Sequence, residues 1–267
     1  MTNALNVPEG LDASRPSPAR IYDYMLGGHS YFDVDEAAAK RIIRAVPEIR
    51  DTAWANRGYH QRTATWIARQ GVRQFIDIGS GLPTVGNTHE VVKNVHPDAR
   101  VVYVDNDPMV LVHARALLAS TPPGAAIYLD ADLRDPGKIL AGAAGLLDFG
   151  QPVAVLLIGI LQLIPDTDDP YGIVARLMEA VAPGSWLAVF HPASDIHPEQ
   201  IADATRRLNA RSAGTTTLRT RAEIARFFDG LELLEPGLVQ VHRWQPGSAA
   251  PDGGQQIAGY AGLARKC

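Results

Sequence analysis

Cysteine and long apolar runs are nearly absent from this chain of 267 residues. Its single cysteine, Cys267, excludes an internal disulfide framework and a metal site built from several cysteines. No stretch approaches the roughly 18 uncharged apolar residues of a membrane span, and the N-terminus lacks the basic and then apolar pattern of a signal peptide. These absences favour a cytoplasmic enzyme that does not interact with membranes.

The chain also lacks a strong excess of charge of either sign. It has 25 Lys and Arg against 29 Asp and Glu, a net charge of −4, which argues against an extended nucleic-acid-binding surface. A hydrophobic content of 46% and a charged content of 20% are typical of a globular protein. The length suits one large α/β domain, or one domain with an added cap.

From residue 72 onward, short apolar runs alternate with helical stretches. Strands are predicted at residues 75–78, 101–104, 126–129, 153–158, 186–190, 231–234 with an extension at 239–244, and 257–264. Helices are predicted at residues 87–94, 108–118, 136–147, 169–181, 198–209 and 221–226. This alternation indicates an α/β fold with a mostly parallel, doubly wound sheet covered on both faces. The first three strands should wind one way and the later ones the other, with the ligand at the strand ends near that switch point.

The region before residue 72 has helical patterns and no strand signal. Residues 1–19 contain several prolines and are predicted to form an extended arm, and helices are predicted at 20–26, 33–46 and 49–70. These helices are either a packed outer layer or a lid over a site. The predicted division is therefore an N-terminal arm and helical cap, residues 1–71, followed by a nucleotide-binding unit, residues 72–267.

The strongest local signal is the segment at residues 75–84, FIDIGSGLPT. A short apolar strand ends there in a turn with Gly79 and Gly81, and glycine permits positive φ and a close approach of ligand to backbone. A strand that ends in such a turn and leads into a helix is typical of a nucleotide-binding site. A dinucleotide fingerprint would have a third glycine where Thr84 stands, which counts against a bound pyrophosphate.

Acidic residues follow the next two predicted strands. Asp105 comes about 20 residues after the glycine turn, where an acid commonly accepts both hydroxyls of a ribose. The alternative is that it caps the next helix, the role expected for Asp107. Asp132 could accept from an adenine amino group while the backbone N–H of Leu133 bonds to the ring. The alternative is a polar loop in which Asp135 caps a helix.

The fourth and fifth predicted strands end in less polar segments. Gly159 would allow a ligand close to the backbone, and Gln162 is the first polar side chain after it. The alternative is that Gln162 belongs to a core strand, with the sheet running on past Gly159 until Pro165 ends it. His191 follows the fifth strand at the expected rim of the pocket, either as a base or as a loop residue.

These motifs together resemble class I S-adenosylmethionine-dependent methyltransferases, and more narrowly an actinobacterial methyltransferase-like family long catalogued as a domain of unknown function. The matching segments are residues 75–84 and residues 18–28 (PARIYDYMLGG), 102–108 (VYVDNDP), 131–136 (ADLRDP) and 182–185 (APGS). The resemblance extends from about residue 16 to the end. The chain departs from the family pattern at Gln162, where a histidine is usual, and at residues 29–31, where a Lys-Asp/Asn run is usual.

The resemblance implies a Rossmann-like methyltransferase fold, with seven mostly parallel strands, an antiparallel last strand and S-adenosylmethionine as cofactor. Asp77 is then expected to organise the turn or the methionine ammonium. The predicted cofactor-binding residues are Arg57, Asp77, Gly79, Ser80, Gly81, Pro83, Thr84, Asp105, Asn106, Asp132, Leu133, Ile158 and Gly159. No metal site is predicted.

Residues 16–60 are predicted to fold over the pocket and exclude water. Arg57 could pair with the methionine carboxylate, since a guanidinium matches a carboxylate in bidentate geometry. The alternative is that Arg57 lies on a solvated helix face. The predicted catalytic residues are Gln162, His191 and Tyr24, and the predicted substrate-contacting residues are these three with Tyr22 and Asp23.

Three other functions compete with a methyltransferase that acts on a small molecule. A cofactor-binding module without transferase activity is compatible with the departure at Gln162. An NAD-dependent oxidoreductase would require the third glycine at position 84 and a hydride-transfer pair that the sequence does not show. A nucleic-acid methyltransferase would be expected to have a basic groove and a different motif after the fourth strand. A small-molecule acceptor is therefore favoured, and the sequence does not identify it.

Overall fold

A computed structural model describes residues 11–119, 125–209, 215–247 and 257–267. Most predicted elements are present in it, and the first ten residues of the predicted arm lie outside the described part. The α-helices are α1 (Pro18–Met25), α2 (Asp33–Ala45), α3 (Ile49–Arg69), α4 (Thr88–Lys93), α5 (Pro108–Ala119), α6 (Pro136–Ala143), α7 (Pro170–Glu179), α8 (Pro198–Asn209) and α9 (Arg221–Ala225). The strands are β1 (Gln74–Ile78), β2 (Arg100–Asp105), β3 (Ala126–Asp130), β4 (Ala154–Ile158), β5 (Trp186–Pro192), β6 (Glu232–Leu233), β7 (Val239–Gln240) and β8 (Gly259–Arg265).

The strands form one sheet in the order β3-β2-β1-β4-β5-β8-β6, with β7 also paired to β8. Strands β1 to β5 are parallel, and β8 runs antiparallel to β5, β6 and β7. The order reverses between β1 and β4, which confirms the predicted switch point. The antiparallel pairing of β8 with β5 confirms the predicted antiparallel last strand. The carboxyl ends of the first four strands therefore meet at one edge.

The predicted strand extension at residues 239–244 is wrong beyond its second residue. Pro236 and Gly237 separate β6 from β7, and proline cannot donate to a ladder. A 3-10 turn at Val241–Arg243 then directs Trp244 into the core, where its indole packs edge-on against Tyr59 at 4.9 Å. Burial of this aromatic side chain outweighs continued strand pairing.

Helix α3 is a packed layer on one face of the sheet. Its residues Tyr59, Ala64 and Ile67 are fully buried against apolar side chains of the strands. The Tyr59 hydroxyl also donates to Gly262 O of β8 at 2.6 Å. The other face of the sheet is covered by α6, α7 and α9. The division of the chain into a cap, residues 1–71, and a nucleotide-binding unit, residues 72–267, remains a prediction.

Helices α1 and α2 lie at the edge of the sheet that carries the glycine turn. Leu11, Ala19 and Phe32 pack against Leu82 and Met109, which follow β1 and β2. This contact places α1 and α2 over the carboxyl ends of the first two strands.

A buried ion pair joins the two helices. Arg20 Nε lies 2.7 Å from Asp35 Oδ2, and both side chains are almost fully buried. The Asp35 carboxylate also accepts from the backbone N–H groups of Ser17 and Phe32, so its charge is well compensated. The Ser17 hydroxyl in turn donates to the carboxylate of Asp107, after β2. None of the helices within the described ranges has both the length and the apolar character that a membrane span requires.

Candidate cofactor and acceptor site

The glycine turn after β1 is tied to the neighbouring strands. Gly79 has φ +72° and donates its N–H to Val104 O of β2 at 2.8 Å. A Cβ at this position would stand 2.7 Å from the side chain of Ile160, which follows β4. Glycine is required here because of both the positive φ and the lack of space. The ends of β1, β2 and β4 therefore converge at Gly79.

The carboxylate of Asp105 holds the second glycine of the turn. Its Oδ2 accepts from Gly81 N at 2.8 Å, and its Oδ1 accepts from Asp107 N at 3.0 Å. Burial raises the pKa of Asp105 above its ordinary value. Asp107 is the residue that caps α5, through the N–H of Met109 at 2.8 Å. Asp107 therefore caps the helix, and Asp105 lies beside the glycine turn, at the position predicted to bind the ribose.

Asp132 lies in a polar network after β3. Its Oδ2 accepts from Asn106 Nδ2 at 3.0 Å and from Arg134 Nη1 at 2.9 Å, and its Oδ1 accepts from Arg134 N at 2.8 Å. Asp135 caps α6, as the alternative interpretation of this loop expected. The side chain of Leu133 is buried in the core, so a contact to an adenine ring would have to use its backbone.

A buried network connects α3 to Asp77 in β1. His60 Nε2 lies 3.3 Å from Asp77 Oδ2 and 2.8 Å from the Thr88 hydroxyl, which itself donates to Asp77 Oδ2. Burial alone would raise the pKa of Asp77, but the hydrogen bonds from His60 and Thr88 outweigh it and lower the pKa. Asp77 is therefore a buried anion held by α3 and α4.

Arg57 extends this network toward the glycine turn. Its Nη1 lies 3.2 Å from His60 Nδ1, and its Nη2 donates to Val85 O at 3.2 Å and to Asn87 Oδ1 at 3.4 Å. Because a guanidinium only donates, His60 Nδ1 accepts, and the ring carries its hydrogen on Nε2. Within the described part of the chain, the buried Nε of Arg57 has no hydrogen-bond partner. Arg57 thus contacts the turn instead of lying on a solvated helix face.

The remaining turn residues lead into α4. Ser80 N donates to Val104 O at 3.3 Å, and Thr84 N donates to Asn87 Oδ1 at 3.0 Å. Pro83 is half-buried between them. Asn87 begins α4 in a reciprocal capping box with Glu90. Thr84 therefore lies three residues before the cap of α4, and its backbone N–H is already bonded to the side chain of that cap.

The three predicted residues of α1 have different surroundings. The Tyr22 hydroxyl donates to Ala53 O at 3.1 Å, and burial raises the pKa of Tyr22 to about 12. Asp23 is buried and accepts from Ser30 N at 2.8 Å, which orders the turn between α1 and α2. Tyr24 packs edge-on against Tyr31 at 5.0 Å. Tyr22 is hydrogen-bonded to α3, and the Tyr24 ring lies 5.8 Å from the guanidinium carbon of Arg50 on the same helix. Substrate contacts of all three remain predictions.

Gly159 ends β4 and turns the chain, so the expectation that the sheet continues beyond it is wrong. Its φ is +79°, and a 3-10 turn at Leu161–Leu163 follows. Gln162 lies in this turn and donates from Nε2 to Gly159 O at 2.6 Å. Ile158, the last residue of the strand, is half-buried and packs with the α3 side of the core. Gln162 is consequently a loop residue over the end of β4 and does not belong to a core strand.

His191 is fully buried, and both of its ring nitrogens are engaged, so it does not lie on an exposed rim. Nδ1 lies 2.7 Å from Pro192 O, and Nε2 lies 3.0 Å from Arg219 Nη1. Because Pro192 O can only accept, Nδ1 carries the hydrogen and Nε2 accepts from Arg219. Burial lowers the pKa of His191 to about 4. This geometry gives His191 a structural role in holding Arg219.

Arg219 is a buried cation that the sequence analysis did not single out. It donates to Leu161 O at 3.0 Å, to Ile164 O at 2.9 Å and to Asp166 Oδ1 at 2.7 Å. It therefore clamps both ends of the loop that carries Gln162. A lone arginine in a Thr-rich segment gives no local signal for this role. His60 and Asn56 were also missed, because helical periodicity does not show which partner a polar position faces.

A family model described as S-adenosyl methyltransferase matches residues 5–267. The chain belongs to the S-adenosyl methyltransferase family. This result confirms the resemblance and identifies S-adenosylmethionine as the cofactor of the family. Among curated proteins, no sequence matches this chain.

Solved structures of two actinobacterial proteins are similar to this methyltransferase family member over nearly all of its length. One is a DUF574 family protein from Streptomyces avermitilis, 43% identical, with a TM-score of 0.89, covering 96% of this chain and 99% of that chain. The other, from Thermobifida fusca, is provisionally assigned as a methyltransferase; it is 39% identical, with a TM-score of 0.87 and 97% of each chain covered. An O-methyltransferase family protein from Burkholderia thailandensis shares the fold at 17% identity and a TM-score of 0.51, covering 84% of this chain and 61% of that chain.

The residues at the strand ends fit the cofactor of this methyltransferase family. S-adenosylmethionine presents a carboxylate, an ammonium, a ribose and an adenine. The unpartnered, buried Nε of Arg57 suits the carboxylate, and the carboxylates of Asp77 and Asp105 supply acceptors on either side of the glycine turn. Across the ranges described, no group of three or more His, Cys, Asp or Glu side chains is placed to hold a metal ion.

A separate surface cavity of about 640 Å³ lies at the opposite edge of the sheet. Its lining includes Arg73, Arg100 and Gln74, near the amino ends of the strands. Arg73 is paired with Asp98 at 2.6 Å, and both polar atoms of the Gln74 amide bond to the backbone of Asp148. Ligands of α/β folds bind at the carboxyl ends of strands, which favours the glycine turn over this cavity as the candidate site.

Proposed function

We propose that the protein transfers a methyl group from S-adenosylmethionine to a small-molecule acceptor. The observation that carries this proposal is the convergence of the ends of β1, β2 and β4 at Gly79, with the cation of Arg57 linked through His60 to the buried anion of Asp77. When bound, the cofactor supplies a methyl group already activated on a sulfonium.

Arg57 would hold the methionine carboxylate, and Asp77 would support this end of the site through His60. Asp105 would accept from the ribose hydroxyls, and Asp132 with the backbone of Leu133 would contact the adenine. The glycine turn, including Ser80, Pro83 and Thr84, would form the wall of the cleft, and Asn106 would keep Asp132 in place. Gly159 and Ile158 would form the opposite wall.

The chain's own contribution on the acceptor side is orientation and exclusion of water. Tyr22 and His191 already have their polar atoms engaged, and their pKa values are about 12 and about 4. Neither is poised to take up a proton near neutral pH, since an efficient base has its pKa near the working pH. Holding the two reacting groups in line can by itself supply much of the acceleration. We therefore assign Tyr22 and Gln162 to acceptor binding.

Calorimetric titration with S-adenosylhomocysteine tests the cofactor part of this proposal. Arg57→Ala is expected to weaken binding roughly 10- to 100-fold, the effect of losing a charged hydrogen bond. Arg69→Ala, at the exposed end of the same helix, is the matched control and should bind like the wild type. Equal affinity of Arg57→Ala and wild type would remove Arg57 from the site.

A radiolabelled methyl-transfer screen against small-molecule extracts tests the enzymatic part. Binding of S-adenosylhomocysteine without transfer to any acceptor would favour a binding module. The net charge of −4 supports a small-molecule acceptor over nucleic acid. A cytoplasmic location is also proposed, which the single exposed cysteine supports.

A further inference from the structure

Two side-chain amides from distant parts of the chain meet at Gly159. Asn56 Nδ2, on α3, lies 3.4 Å from the position that a Cβ on Gly159 would occupy. Gln162 Nε2, in the turn after β4, donates to Gly159 O at 2.6 Å. Both amides are thus at the carboxyl end of β4, on the edge of the sheet that carries the glycine turn.

The hydrogen-bond network fixes which way each amide points. The Tyr22 hydroxyl uses its hydrogen on Ala53 O, so it accepts from Asn56, and Nδ2 must face it at 3.1 Å. Gly159 O can only accept, so Gln162 must turn its Nε2 toward it. The two oxygens, Asn56 Oδ1 and Gln162 Oε1, therefore cannot exchange places with the nitrogens without loss of a hydrogen bond.

Neither oxygen has a hydrogen-bond partner among the described residues, although both atoms are buried. Asn56 as a whole is only 5% exposed. A buried acceptor without a donor costs about 1–3 kcal/mol, and native structures keep such groups where a ligand or water supplies the hydrogen.

The loop that carries Gln162 is itself held in place. Gln162 O accepts from Thr217 N at 2.8 Å, and Arg219 binds the carbonyl oxygens of Leu161 and Ile164. Since the main chain is fixed on both sides of Gln162, its side-chain amide is preorganised for a ligand. Binding then does not have to order a mobile loop.

We infer that Asn56 Oδ1 and Gln162 Oε1 bind the nucleophilic group of the methyl acceptor, and that this group is an uncharged amine. This inference rests on the proposed methyltransferase function. Two acceptor oxygens require two hydrogens, and a primary amine supplies both while its lone pair stays free. A hydroxyl supplies one hydrogen, and a carboxylate supplies none and would be repelled by both oxygens. An uncharged amine also needs no base to become a nucleophile, which matches the engaged nitrogens of His191.

Three benzene derivatives, aniline, phenol and benzoate, test the inference by ligand-observed NMR titration. They carry two, one and no donor hydrogens and are applied with and without saturating S-adenosylhomocysteine. Aniline is expected to bind most tightly, phenol more weakly, and benzoate least. Gln162→Met and Asn56→Leu should each weaken aniline binding about fivefold, the effect of one uncharged hydrogen bond, and leave S-adenosylhomocysteine affinity unchanged. The control is Gln151→Met, an exposed glutamine at the opposite edge, which should behave like the wild type.

Thermal melts of each variant show whether it is folded, and if Gln162→Met unfolds, the comparison of aniline with benzoate on the wild type and the Asn56→Leu variant still test the inference. Equal affinity for aniline and benzoate, or no aniline binding to the wild type, would overturn the inference. It would also be overturned if the variants weakened S-adenosylhomocysteine and not aniline, because the oxygens would then serve the cofactor ammonium. Failure of S-adenosylhomocysteine to bind the wild type would refute the proposed function instead, while the aniline titration without it would still report on the two oxygens.

Discussion

Replacing Arg219 with methionine is expected to destabilise the fold far more than removal of an ordinary surface arginine. The change leaves two buried acceptors without their donor, Ile164 O and His191 Nε2, and it removes one of the two donors to Leu161 O, which still accepts from Ile164 N. Each unsatisfied acceptor costs about 1–3 kcal/mol. Two such acceptors together cost about 2–6 kcal/mol, and relief of the buried guanidinium's desolvation offsets part of that sum, so a net loss of about 2 kcal/mol is expected. The ion pair with Asp166 adds little, since that carboxylate side chain is 70% exposed.

Urea denaturation, with unfolding free energies extrapolated to water, measures this loss. The matched control is Arg134→Met, which removes an arginine that bonds two carboxylates and a carbonyl but whose side chain is 47% exposed. The control should cost below about 1 kcal/mol, because exposed ion pairs contribute little. If both variants lost the same free energy, or if Arg219→Met equalled the wild type, the assignment of Arg219 as the clamp of this loop would be refuted.

Gly79→Ala and Gly247→Ala form a second pair: their φ values are +72° and +69°, but only at Gly79 would a Cβ meet a side chain, Ile160 at 2.7 Å. In urea, Gly247→Ala should lose about 1 kcal/mol of unfolding free energy from backbone strain. Gly79→Ala should lose roughly a further 1–3 kcal/mol because the new Cβ overlaps Ile160. Equal losses in the two variants would contradict the close approach of Ile160 to Gly79. Because the pKa of His191 falls from an ordinary 6.5 to about 4 in the folded state, the unfolded chain binds the extra proton between these values. Stability should therefore fall as the pH drops from 6.5 to 4, by up to about 3 kcal/mol more than in His191→Gln. Parallel pH profiles of the unfolding free energy for the two proteins would refute that account.

The sequence predicts the sheet well because each buried strand is a short apolar run with clear turn residues after it. The two acids after β2 could also be separated: Asp107 is followed directly by Pro108, a first helical residue, whereas Asp105 ends the strand. Local patterns are sufficient for such assignments because the partners lie within a few residues.

Long-range partners could not be predicted in the same way. Arg219 binds groups that lie 28 to 58 residues away along the chain, and its neighbours Thr217 and Thr220 suggest only a loop. His191 looks like a base in isolation, and only the structure shows that its nitrogens are used. His60 and Asp77 belong to separate elements whose facing sides depend on how α3 docks on the sheet.

Helix α3 buries Tyr59 and Ile67 against the sheet and carries Arg57 and His60 at the glycine turn. Each residue of an α-helix is rotated about 100° from the one before it, so these two sets of side chains are locked in phase. One inserted residue between His60 and Ile67 would turn the site residues away from Asp77 or pull the apolar residues out of the core. The number of residues in this helix therefore fixes where the site residues lie relative to the buried residues. Insertions and deletions within the family should be found outside α3.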